Sequence, residues 1–167
     1  MRIANTEHVL LTSIHKQRVY HYQRGESVKT YVVSTSLRPP SCKKDSLGTP
    51  WGLHSICDLI GLGEVEGMVF EGRRPIGRKY WECSREMSQK NLITSRILRL
   101  EGMEDGVNRG GIVDSFSRFI YIHGTNHEDK LGQQSSSGCI QLSNKCVVEL
   151  ASKVPSGTHV YIEDAEK

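Results

Sequence analysis

Every apolar run in this 167-residue chain is short, and turn-forming residues interrupt it within a few positions. Runs such as Phe119 to Ile122 reach four residues, far below the roughly 20 that a membrane-spanning helix needs. The runs are rich in β-branched and aromatic residues instead. Val9-Leu10-Leu11, Arg18-Val19-Tyr20-His21-Tyr22, Val28 to Val33, Met68-Val69-Phe70, Thr94 to Leu100 and Thr158 to Ile162 all have strand character. Such segments suit a pleated, half-buried surface, and the Gly, Pro, Asn and Asp between them supply the turns. A mainly β fold follows, begun as a meander and completed as a sandwich or barrel-like arrangement of short strands.

One stretch breaks the pattern. Val147, Val148, Leu150, Ala151 and Val154 fall at helical spacing between a Ser143-Asn144 cap and Pro155-Ser156-Gly157, which predicts one clear helix near the C-terminus. A short polar second helix is expected within Ser84 to Leu92. A single domain over residues 1–167 is long enough to bury about two thirds of its unfolded surface.

The remaining composition excludes more than it suggests. A formal net charge of +3 without any block of five or six like charges gives no support to nucleic-acid binding. The glycines at 61, 63, 67, 72 and 77 form no G-x-G-x-x-G between a strand and a helix, so a nucleotide site fails on context. Glu101, Glu104, Asp105 and Asp114 lie in and beside a glycine-containing loop that fixes no pair of carboxylates. Five cysteines (42, 57, 83, 139 and 146) include no C-x-x-C and leave at least one outside any intramolecular disulfide. His8, His15 and His21 read as ordinary strand residues. The basic region Arg73-Arg74-Pro75 and Gly77-Arg78-Lys79 reads as a turn, with one functional reading: a groove wall that meets peptide carboxylates.

Chemistry concentrates between His123 and Asn144. The strand-like run Phe119 to Ile122 hands His123 to Gly124, and Gly138 immediately precedes Cys139. A strand end holds an imidazole rigidly, while a glycine lets backbone approach a ligand and leaves amides free to face it. Cysteine and histidine so placed are a nucleophile and its base, able to rest as thiolate and imidazolium, with amides at Gly138 and Cys139 facing an oxyanion. Two other readings use the same residues. A zinc module could draw on His123, His127, Cys139 and Cys146, but paired cysteines and a helical context are missing. A papain-like hydrolase would place cysteine before histidine, the reverse of the order here.

His123-Gly124-Thr125, then Leu131-Gly132, Ser136-Ser137-Gly138-Cys139-Ile140, Leu142 and Asn144 resemble the signature of the L,D-transpeptidase (YkuD-type) catalytic domain. Fifteen residues lie between the histidine and the cysteine, a spacing similar to that family's. Upstream, Gly48-Thr49-Pro50-Trp51-Gly52-Leu53 is similar to its T-P-x-G segment, which the resemblance puts near the catalytic cleft. The resemblance implies a cysteine acyltransferase acting on peptidoglycan stem peptides, as a transpeptidase or an L,D-carboxypeptidase. Cys139 and His123 would be catalytic, and Gly138, Ser137, Ser136, Gly124, Thr125 and Gln141 would contribute to oxyanion or substrate binding. It implies no cofactor and no metal, and it implies a cell-envelope or periplasmic location. Residues 1–8 hold no apolar signal core, which leaves a cytoplasmic location open. Two positions depart from the family: Gln141 stands where an arginine is usual, and Ser137 where a histidine or lysine is common. Loss of that arginine removes a fixed fork of five donors. The alternative is a cell-wall-binding module that keeps the fold without the activity.

Overall fold

The computed structural model describes residues 6–163. Ten strands make up one sheet: β1 (His8–Ser13), β2 (Arg18–Gln23), β3 (Glu26–Val32), β4 (Gly52–Ile60), β5 (Met68–Glu71), β6 (Arg74–Lys79), β7 (Ile93–Gly102), β8 (Tyr121–Gly124), β9 (Ile140–Leu142) and β10 (His159–Glu163). Their order is β3-β2-β1-β10-β4-β7-β5-β6, with β8 paired to β7 and β9 to β8. Most neighbours are antiparallel, but β1 runs parallel to β10 and β8 parallel to β9. The chain leaving β3 then closes the circuit. Ser34 donates to the Gln141 carbonyl at 2.9 Å and accepts from its N–H at 2.8 Å. The sheet is thereby curled into a half-barrel, as the density of short strands predicts.

Helix α1 (Arg85–Ser88) is a single turn capped by the Ser84 hydroxyl, and α2 (Asn144–Lys153) is capped by Ser143. Both fall in the stretches expected to be helical. α2 packs against β7 and β8, and its Val147, Leu150 and Ala151 meet Leu10, Val19, Leu98, Ile122, Ile140 and Val160 in the main core. A buried Leu or Ile contributes roughly 1.5–3 kcal/mol, so this apolar stripe fixes the helix that follows the Cys139 segment. Arg74–Lys79 corrects the reading as a loop: it pairs antiparallel with β5, and Pro75 is accommodated because β6 is the edge strand. Phe119 stands outside β8, at φ 56°, because the chain turns there before entering the strand.

Candidate active site

In the parallel pair of β8 and β9, Ile122 lies beside Ile140 and His123 beside Gln141. Side chains alternate between the two faces of a strand, so with both isoleucines in the core, His123 and Gln141 point the other way. Cys139, one residue ahead of Ile140, shares that face with Tyr121. His123, Ser136, Ser137, Cys139 and Gln141, all singled out from the sequence, line one cavity of about 180 Å3 together with Asn91 and Ile93.

The Cys139 thiol is held between backbone groups on either side of Ile120. Its sulfur accepts from the Tyr121 N–H at 3.4 Å and donates to the Phe119 carbonyl at 3.5 Å. Burial pushes the thiol up to about 11, against the opposing pull of the Tyr121 N–H and the charge of Arg118. Burial also holds His123 down to about 4, although its bond to the Gly124 carbonyl acts in the opposite direction. Burial thus favours a neutral thiol and a neutral imidazole. Desolvation therefore works against a resting thiolate–imidazolium pair. Removing two charges from water costs more here than one N–H and one guanidinium return.

The tautomer of His123 follows from one contact. Nδ1 lies 2.7 Å from the Gly124 carbonyl oxygen, which can only accept, so Nδ1 carries the proton and Nε2 keeps the lone pair. Gly124 supplies this carbonyl from a position where no side chain fits, since a Cβ would meet the Thr94 carbonyl at 2.6 Å and Asn144 Oδ1 at 2.9 Å. Thr125 is fully buried and donates from its N–H to the Leu142 carbonyl. Neither Gly124 nor Thr125 lines the cavity. Both anchor the strand end that carries the histidine.

Asn144 ties this end to α2. Its Oδ1 accepts from the hydroxyls of Thr94 and Ser95, each at 2.6 Å, and its Nδ2 donates to the Thr125 carbonyl and to Glu128 Oε1. Ser136 performs the same service for the nucleophile turn, because its hydroxyl donates to the Cys139 carbonyl at 2.6 Å and accepts from the Gly138 N–H at 3.3 Å. That bond occupies the Gly138 amide. Among the described residues the Cys139 N–H has no backbone acceptor. Gly138 itself sits at φ 120°, where an added Cβ would lie 3.4 Å from the Leu47 and Gly48 carbonyls. The Gly48-Thr49-Pro50 segment thus lies against the nucleophile turn, as the resemblance implies.

A second cavity of about 200 Å3 opens beyond Ser137, with Leu47, Arg118, Phe119 and Ile120 among its walls. Arg118 is held there by the carbonyls of Ser41 (3.0 Å) and Gly48 (2.7 Å). Asn91 and Ile93 carried no sequence signal, since they reach the site from a segment remote in the chain, and Arg118 carried none although it directly precedes the run that leads to His123. His127 turns aside to bond the Lys90 carbonyl through Nε2, and Cys146 packs on the main core. Among the described residues no three His, Cys, Asp or Glu side chains are grouped to hold a metal.

The fold is a curled β sheet in which the thiol one residue ahead of β9 and the imidazole on β8 line one cavity. The chain belongs to the L,D-transpeptidase catalytic domain (YkuD) family, whose model matches residues 7–162. The putative L,D-transpeptidase YkuD of Bacillus subtilis (strain 168) is 56% identical over 41 residues, which is 25% of each chain. The putative L,D-transpeptidase YqjB of the same strain is 47% identical over 47 residues, 28% of this chain and 27% of that one. The aligned part thus spans about a quarter of these curated relatives. L,D-transpeptidase 3 from Mycobacterium tuberculosis, solved with a faropenem-derived adduct, superposes with a TM-score of 0.59 at 14% identity, over 94% of this chain and 60% of that one. LdtMt1, solved in complex with imipenem, gives 0.56 at 15% identity, over 94% and 59%. At these identities the likeness speaks for the fold.

Proposed function

We propose that this protein is an L,D-transpeptidase of peptidoglycan, acting as a single catalytic domain in the cell envelope and contributing to cell-wall biogenesis and cell shape. The observation that carries the reading is the meeting of Cys139 and a neutral, tautomerically fixed His123 at one cavity. The donor is a stem peptide cleaved at the amide between an L-configured centre and a terminal D-residue. As the Cys139 sulfur bonds to the carbonyl carbon, His123 Nε2 takes the thiol proton, so charge separates only when the oxyanion also forms. The Cys139 N–H is the backbone donor left to meet that oxygen, and one such donor is typically worth ~3 kcal/mol of barrier. Collapse breaks the C–N bond, and His123 returns the proton to the departing amine. The thioester on Cys139 is then attacked by an amine of a second stem or by water, with His123 again as base. Gly138, Ser136 and Ser137 shape the approach, and no cofactor enters any step. The cavities on either side of Ser137 suit separate entry of donor and acceptor.

The raised thiol favours one second reading, a wall-binding module that retains the shape of the site without its chemistry. Intact-protein mass spectrometry separates the two. Wild type and Cys139→Ala are incubated with a carbapenem, and separately with a tetrapeptide stem. A single adduct on wild type, none on the variant, and turnover of the stem are expected. A folded, reduced wild type that gains no adduct and turns over no stem is a binding module.

A further inference from the structure

The β5–β6 hairpin carries a cation that the mechanism above leaves unused. Gly72 (φ 51°) and Arg73 (φ 65°) are the two residues between the strands, a primed turn in which both central positions favour Gly, Asn or Asp. An arginine there is sterically disfavoured. Its side chain nevertheless folds back over the sheet. Arg73 Nη1 donates to the Tyr121 hydroxyl at 3.2 Å, and the guanidinium lies 5.3 Å from the centre of the Phe119 ring. Arg73 is half-buried, whereas its neighbours Arg74 and Arg78 are exposed. Both residues it touches abut the nucleophile: the Tyr121 N–H reaches Cys139 Sγ, and the Phe119 carbonyl accepts from it. Tyr121 also shares with Cys139 the small apolar cluster that includes Phe70 and Ile97.

Among the described residues no carboxylate pairs with Arg73, although Arg24, Lys29, Lys79, Arg109 and Lys153 each have one. Two other arginines approach the same residues: Arg118 directs its donors to the Ser41 and Gly48 carbonyls and the Ser46 hydroxyl, and Arg99, 5.6 Å from the Phe119 ring, stacks on Phe116 and donates to its carbonyl. Position 141, which faces the cavity next to His123, is a buried glutamine. Arg73 is thus a positioned, partly desolvated guanidinium with donors to spare, the form in which arginine binds carboxylates in a forked geometry. We propose that Arg73 determines donor specificity by binding the terminal carboxylate of the donor peptide, so that the bond presented to Cys139 is the last one in the peptide. This inference rests on the acyl-transfer reading.

The test compares a tetrapeptide stem with its C-terminal amide, which keeps the shape and removes the charge. Wild type is assayed beside Arg73→Asn, a residue that suits the left-handed turn, and beside Arg74→Asn on the exposed neighbour. For wild type, kcat/KM for the acid exceeds that for the amide by about 10- to 100-fold, the range of a charge-assisted contact, and most of the difference lies in KM. In Arg73→Asn the two substrates converge, while Arg74→Asn keeps the wild-type ratio. A wild type that turns over both peptides equally, or an Arg73→Asn variant that keeps the wild-type ratio, overturns the role of Arg73 and leaves acyl transfer standing. A wild type that turns over neither peptide overturns acyl transfer and this inference with it. Thermal melting reports whether the hairpin is intact, and Arg73→Gly, which the turn geometry favours, replaces the Asn variant if that one unfolds.

Discussion

The neutral resting state of the Cys139–His123 pair has a direct chemical signature. With its thiol pushed up to about 11, Cys139 is thiolate in roughly one molecule in 10,000 at pH 7, against about 3% for an unperturbed thiol of pKa ~8.5. Only the thiolate reacts with iodoacetamide, and a more basic thiolate is the better nucleophile, so alkylation of Cys139 is expected to run roughly 10- to 50-fold slower than that of a free thiol at that pH. The rate should climb about tenfold per pH unit between pH 6 and 9.5, with no plateau, because burial outweighs the pull of the Arg118 charge on the thiolate. Four other cysteines are present, so peptide-resolved mass spectrometry must read Cys139 by itself. Carbapenem acylation should behave differently in the His123→Ala variant. With His123 as the base of the proposed mechanism, it is expected to fall by roughly 10²- to 10⁴-fold. A wild-type alkylation rate that is already flat below pH 7 would mean a thiolate–imidazolium pair at rest, and it would refute the argument from burial.

Gly138→Ala places a side chain at φ 120° with a Cβ 3.4 Å from two backbone carbonyls. It is expected to lower stability by about 1–3 kcal/mol, read from denaturant midpoints, and to slow acylation of Cys139. Asn144→Ala strips a buried hub from Thr94, Ser95, Thr125 and Glu128. A loss of about 1–3 kcal/mol is expected, with unchanged stability counting against the hub. Gln141→Arg adds a guanidinium to the cavity wall, where burial without a carboxylate partner should lower the Tm while the donor KM falls. A KM that is unchanged or higher counts against any role for charge at this position. The Glu149 carboxyl is held at about 2 by hydrogen bonds from Lys153 and Lys29. A folded pKa below the unfolded value stabilises above about pH 4.5, and the effect is lost as pH falls through about 2. Because the pair lies near the surface, its screened worth is ~1 kcal/mol, and Glu149→Gln should flatten urea midpoints measured from about pH 5 downward by that amount.

The legible parts of this molecule are those where a local pattern and the tertiary structure ask for the same residue. Ser143 ahead of an apolar stripe capped a helix that tertiary packing also required, and the strand runs of β1, β2 and β10 alternate as a half-buried sheet must. His123 and Cys139 were legible for a related reason. A strand end and a glycine-preceded residue are the two local settings that present a side chain to a cleft, and parallel pairing of β8 with β9 brings both onto one face. Arg74–Lys79 was misread because Gly77 and Pro75 signal a turn, whereas an edge strand tolerates both. Asn91 and Ile93 were invisible because they enter the cavity from a segment distant in sequence, and Arg118, though close to His123, was invisible because no spacing rule connects it to Cys139. The protonation state of the pair was illegible for a deeper reason. Residue types say that cysteine and histidine can exchange a proton, but which form rests depends on desolvation, and desolvation belongs to the packed sheet around Ile97, Tyr121 and Phe70 rather than to the two residues.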